Sequence, residues 1–271
     1  MNKGVLRHRR LRRHDAGAMA LARAAGAHGI YVQNALASGL HDGVMFLLDD
    51  REVGVAWFGP RGNLVVVATD ECAPFAEQIA VAVGQARWAW RIAMGPREVL
   101  LAMRATIPRE PLVFRDQVYY VGTAADAVAE RVRADVRAPQ RDDRERLARA
   151  TLALNAADLN IAPARVDRRW LYDTIDERIA DGTTRVLGPV GELWCKLDFG
   201  SVGPGGCVIE GVFTFPDHRG AGLACALVAT VLQQAEHTVS LHVAEDNQAA
   251  RRAYENAGMR EAGRCRLLLL G

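Results

Sequence analysis

The stretch from Val208 to Ala224, V-I-E-G-V-F-T-F-P-D-H-R-G-A-G-L-A, restricts the fold of this chain more than any other. An apolar run rich in β-branched and aromatic residues stops at Pro216. A short polar turn follows, and Gly220 and Gly222 lead into a long apolar-periodic segment. The pattern predicts a strand, a glycine loop and a helix. The first turn of such a helix leaves several backbone N–H groups without partners, and the aligned peptide dipoles place partial positive charge there. The loop is therefore suited to a phosphate or pyrophosphate, and Gly220 and Gly222 carry no Cβ to hold a ligand off the backbone.

A dinucleotide fold begins the same way, and Gly220-Ala221-Gly222-Leu223-Ala224-Cys225 partly imitates its G-x-G-x-x-G fingerprint. Cys225 replaces the third glycine, the turn before Gly220 is long, and fewer than fifty residues remain after Ala224, too few for a doubly wound sheet. Arg219-Gly220-Ala221-Gly222-Leu223-Ala224 instead fits R/Q-x-x-G-x-G/A, and Asn247, Ala250, Tyr254 and Gly258-Met259 follow as N-x-x-A-x-x-x-Y-x-x-x-G-(F/M). In these two motifs, in this order and at this separation, the chain resembles the GNAT superfamily of acyl-CoA-dependent N-acyltransferases over roughly its last 135 residues.

The resemblance implies acetyl-CoA as co-substrate. The backbone of Val212, Phe213 and Thr214 would pair with the pantetheine arm, and the loop Arg219, Gly220, Ala221, Gly222, Leu223 and Ala224 would hold the pyrophosphate, with His218 beside it. Tyr254 is the implied general acid, because a phenol with a pKa of ~10 is protonated at neutral pH and can donate to a departing thiolate. Asn247 is expected both to cap the following helix and to touch the CoA arm. Glu210, on the central strand, and His242, on the strand Thr238 to Val243, compete for the role of base. The histidine stands where some protein-N-terminal acetyltransferases of this fold carry a glutamate. Without the family, the same residues read as a packed tyrosine, a hydrogen-bonded glutamate and a core or solvated histidine.

The first half reads helix, helix, strand, strand, helix, strand, helix, strand, close to the GNAT order, and Gly59-Pro60-Arg61-Gly62 marks a hairpin turn. Where the pyrophosphate loop would lie it has Thr69-Asp70-Glu71-Cys72, two carboxylates and no glycine. In the helix containing Asn34, the run from Gly54 to Leu64 and Gly95-Pro96 it resembles the non-catalytic part of two-part GNAT proteins. The expected architecture is α/β: two GNAT-like domains in tandem, each a mixed, mostly antiparallel sheet flanked by helices. Residues 1–132 form a degenerate copy and 133–271 the intact transferase. In the second, Asp142 to Asp158 and the segment through Ile179 are expected as the two helices of the acceptor wall. Glu192 to Phe199 is expected as an alternating strand with Trp194, Lys196 and Asp198 opposite Leu193, Cys195 and Leu197.

A net charge of +2 on 271 residues gives no reason to expect nucleic acid or an anionic membrane as partner. Five cysteines without a C-x-x-C pair suggest neither a disulfide framework nor a zinc site, and no metal is expected. No apolar run is long enough to span a bilayer, and the basic segment Arg7 to His14 reads as a solvated helix end rather than a leader. The expectation is a cytoplasmic N-acetyltransferase whose partner is a small-molecule or peptide amine, with a homodimer left open. The alternatives are a non-enzymatic acyl-CoA-binding module and a nicotinamide-dependent oxidoreductase.

Overall fold

The computed structural model describes residues 4–271. The chain separates into two compact units: one holds the chain up to Tyr119 with Gly203–Gly206 and Ala262–Gly271, the other Tyr120–Val202 with Cys207–Glu261.

The first unit starts with β1 (Leu6–Arg10), α1 (Ala16–Ala24) and α2 (Ile30–Ala37), the helices joined by a 3-10 turn over Gly26–Gly29. It continues through β2 (Gly43–Leu48), β3 (Arg51–Phe58), β4 (Asn63–Ala68), α3 (Ala76–Gly84), β5 (Ile92–Gly95), α4 (Arg97–Ala105) and the part of β6 (Val113–Gly122) up to Tyr119. The basic segment expected as a helix end is a strand: β1 pairs antiparallel with β2 from Leu6↔Leu48 to Arg10↔Val44. Its arginines do not oppose this, because Arg9 is held by Asp15 and Glu52, each at 2.6 Å. A charged edge strand also resists pairing with another chain. The Gly43–Leu48 strand escapes sequence reading because it is buried on both faces and so does not alternate.

The core of this unit packs Phe46, Phe58, Leu64 and Val66 against Ile79, Val83, Leu100 and Met103 of α3 and α4. Leu268, from the C-terminal strand, joins the same cluster. That strand is β11 (Arg260–Leu269), and it pairs antiparallel with β5 from Arg266↔Gly95 to Leu269↔Ile92.

In the second unit come α5 (Arg144–Leu159), α6 (Arg168–Ala180), β7 (Thr184–Leu187), β8 (Cys195–Gly203), β9 (Gly206–Thr214), α7 (Leu223–Gln233), β10 (Val239–Ala244) and α8 (Gln248–Ala257). The sheet order here is β10-β9-β8-β7. The β9–β10 pair is parallel and the β7–β8 pair antiparallel. Leu147, Leu171 and Ile175 of α5 and α6 pack on Val186, Leu193, Phe213 and Phe215. Both units thus carry mixed, mostly antiparallel sheet flanked by helices. Lys196 and Asp198, on the face of β8 opposite Cys195 and Leu197, are also buried, being 2% and 7% exposed.

Candidate active site

β9 and β10 are registered at Val239↔Cys207, Ser240↔Val208 and Leu241↔Ile209, and the ladder ends there. Both strands run on, β9 to Thr214 and β10 to Ala244. The peptide groups of Val212, Phe213 and Thr214 thus lie beyond the last registered pair on that side, as a strand addition by a ligand would require. Glu210 and His242, the two candidate bases, are the first residues past the last registered pair on each strand. Both are half-buried. Sequence alone could not bring them to the same level, because the register between distant strands is a tertiary fact.

At the far end of β9 the chain turns through a 3-10 segment, Pro216–His218, and the loop into α7. Gly220 and Gly222 have φ of +79° and +72°, in the left-handed region, and a Cβ on either would meet nothing within 4 Å. Gly222 is the N-cap of α7 and supplies no side-chain hydrogen bond, so the first N–H groups of Leu223, Ala224 and Cys225 have no side-chain cap. Fold strain and empty space coincide at these glycines, a combination suited to a phosphate held by backbone amides. Arg219 folds back so that its Nε donates to the Thr214 carbonyl (3.2 Å), with its guanidinium 6.0 Å from the Phe213 ring centre. His218 stacks on Trp194 with ring centres 5.3 Å apart. A diphosphate-bearing acyl-CoA fits this arrangement: open strand amides for its arm, then a glycine turn and two basic residues for its phosphates.

Tyr254 projects from α8, the helix that Asn247 caps by accepting from Ala250 N at 3.1 Å. Gly258 ends it at φ +108°, where a Cβ would collide with the Asp126 carbonyl. Tyr254 is 6% exposed and packs edge-on against Tyr120, ring centres 6.0 Å apart. Burial raises its pKa above the ordinary phenol value, and Asp158 and Cys195 push the same way, so it holds its proton throughout the neutral range. Cys195 in turn accepts from the Thr214 hydroxyl at 3.2 Å, which ties the tyrosine's neighbour to the end of the opened strand. The cysteine thiols are poor nucleophiles here: burial pushes Cys195 up to about 11 and Cys207 up to about 12.

The corresponding place in the first unit is shut. The Val66 carbonyl of β4 accepts from His28 Nε2 at 2.6 Å, and Tyr119 Oη lies 2.7 Å from the other ring nitrogen. The turn after β4 winds into a 3-10 helix over Asp70–Phe75 with Pro74 inside it, and Glu71 pairs with Arg51. A groove of about 720 Å³ lies elsewhere, between the start of α5 and the end of α6. In its lining Arg144 pairs with Asp176 at 2.6 Å, and Glu145 accepts from the Tyr172 hydroxyl at 2.9 Å. Among the described residues there is no group of His, Cys, Asp and Glu that could hold a metal ion, and no helix is long and apolar enough to cross a membrane.

Residues 160–259 match the family model described as the acetyltransferase (GNAT) family. The C-terminal half carries a GNAT acetyltransferase fold. The matched span takes in the opened strand, the glycine turn and the tyrosine helix, and the match implies an acyl-CoA-type co-substrate in general. The GNAT likeness extends to the whole chain at the level of fold. A GCN5-related N-acetyltransferase structure from Sphaerobacter thermophilus superposes with a TM-score of 0.60 at 18% identity, covering 97% of this chain and 94% of that one. A Drosophila protein structure superposes with a TM-score of 0.60 at 11% identity, covering 98% and 99%. No curated protein matches this chain in sequence. The tandem arrangement expected from the first half's element order agrees with these full-length superpositions.

What sequence reading missed is the buried pair Lys196 and Asp198 on β8. Strand alternation does place them on one face, but nothing local says that α6 covers that face.

Proposed function

We propose that residues 133–271 transfer an acetyl group from acetyl-CoA to a primary amine, on a small molecule or a peptide, by direct attack within a ternary complex. Residues 1–132 would be a non-catalytic copy, and the compartment of action the cytoplasm. The observation that carries the reading is the end of the β9–β10 ladder at Leu241↔Ile209, with the glycine turn of Gly220 and Gly222 following at the end of the same strand.

In this reading acetyl-CoA supplies the activated acyl group, and the chain's residues bind, orient and move protons. The backbone of Val212–Thr214 takes the arm; the amides of Gly220 to Ala224, with Arg219, take the pyrophosphate. Asn247 adds a contact to the arm while capping α8. Glu210 takes the amine proton, directly or through water, with His242 across the opening as the competing base. Tyr254 delivers the proton to the departing sulfur, a role supported by a pKa that burial keeps high. A covalent relay through cysteine is disfavoured by thiols that stay protonated.

The test pairs calorimetry of acetyl-CoA binding with thiol release over a panel of amino acids, polyamines, aminoglycosides and peptide N-termini. Binding together with turnover on one of these classes is the expected result. Tight binding without turnover on any acceptor would leave an acyl-CoA-binding module, and no binding at all would remove the transferase reading.

A further inference from the structure

Lys196 and Asp198 of β8 are buried against each other, the ammonium donating to Asp198 Oδ2. Arg178 reaches the same carboxylate from α6 at 2.8 Å, off the line of a directed hydrogen bond, so this contact is chiefly coulombic. Thr184, the register partner of Asp198 on β7, donates to Oδ1 at 2.8 Å. Burial alone would push the Asp198 carboxyl up; Lys196 and Arg178 outweigh it and hold the group ionised. A cation and an anion are thus withdrawn from water, with a half-buried second cation beside them, in a place where well-packed apolar residues commonly give equal or greater stability.

The location suggests what the network is for. Gly211 has φ +57°, and a Cβ there would sit 2.7 Å from Asp198 Oδ2 and 2.9 Å from Lys196 Nζ. The network therefore packs directly on the backbone of β9, two residues past the last registered pair with β10. The preceding residue, Glu210, lies over Gly200, where a Cβ would overlap its carboxyl group. Asp198 and Gly200 are on one face of β8, so consecutive residues of β9 address the same face. Regular strand alternation forbids that, and a bulge with a left-handed glycine allows it.

We infer that the Lys196–Asp198–Arg178 network is a positioning device for the transfer reaction. It holds the Gly211 bulge, and through the bulge it sets both the side on which Glu210 presents its carboxylate and the course of Val212–Thr214. None of the three residues need touch a substrate. The inference rests on the transferase reading above, and the experiment separates the two.

The full chain carrying Arg178→Met, Lys196→Met and Asp198→Leu together removes all three charges, so no buried charge is stranded. The expected result is a melting temperature within a few degrees of wild type, acetyl-CoA affinity weakened about tenfold, and turnover on the wild type's best amine lowered about a hundredfold. Single Lys196→Met would lose stability as well, because Asp198 is then left short of a cation. Thr184→Val perturbs the network from its edge without removing a charge, and should weaken acetyl-CoA about threefold in a fully folded protein, which keeps the inference testable if the triple variant fails to fold. Wild-type affinity and turnover in the triple variant, or an unchanged affinity in Thr184→Val beside an unfolded triple variant, would overturn the positioning role. A wild-type protein that binds no acetyl-CoA would instead overturn the transferase reading.

Discussion

Replacing Gly222 by alanine separates the cost of a backbone conformation from the cost of filling a ligand site. At φ +72°, an L-residue pays the left-handed penalty of about 1 kcal/mol. A Cβ there meets no protein atom within 4 Å, so no steric term is added. In a chain of this size that penalty lowers the melting temperature by about 2–4 °C. The methyl group would stand in the space where a pyrophosphate approaches the amides of Leu223 and Ala224. Losing one charge-assisted hydrogen bond there costs about 1.5–3 kcal/mol, a roughly 10- to 100-fold rise in the dissociation constant for acetyl-CoA. Gly182 supplies the matched control, since it too is left-handed (φ +64°) with nothing within 4 Å of a Cβ, but it follows α6 away from the turn. Gly182→Ala should show the same shift in melting temperature and unchanged affinity. Differential scanning fluorimetry and calorimetry on the two variants decide the matter. Equal affinities in Gly182→Ala and Gly222→Ala would refute the assignment of this turn to the phosphates.

Further outcomes follow from the same geometry. Tyr254→Phe keeps the packing against Tyr120 but removes the proton donor, so turnover should fall about 100-fold or more with acetyl-CoA affinity unchanged, read by steady-state kinetics beside calorimetry. Asp143 is fully buried, and although burial alone would raise its carboxyl, Arg137 and the amides of Gln140 and Gly191 hold its pKa below the ordinary carboxylate value. Its contribution is therefore present above the unfolded value of ~3.9 and lost as the pH falls through the depressed folded value. Asp143→Asn should cost about 3 kcal/mol at pH 7, with the gap to wild type narrowing in denaturant melts taken below pH 4. Because the buried thiols stay protonated, iodoacetamide at pH 7.5 should leave acetyl transfer unaffected over an hour, and mass spectrometry of a reaction mixture should find no acylated cysteine.

The motif-bearing part of the site was legible because it is local. Gly220, Gly222 and Gly258 are needed by backbone angles set within a few residues, and Asn247 caps the helix its own position announces. Helical spacing of Leu147, Leu154 and Leu159, and of Leu171, Ile175 and Ile179, likewise announced α5 and α6. The strand β1 was not legible: five residues rich in arginine and histidine carry no strand signal, and only pairing with β2 and the carboxylates of Asp15 and Glu52 make them one.

The sequence by itself determined that a strand, a glycine turn and a capped tyrosine helix occur in order, because hydrogen bonds and dihedral angles among near neighbours demand it. Tertiary structure alone decided where the β9–β10 ladder stops, which brings Glu210 and His242 to one level. It also decided that Lys196 and Asp198 are enclosed rather than solvated, and that Leu268 completes the core of the first unit rather than the second. Register and burial depend on which distant segments meet, and no residue carries that information in its own neighbourhood.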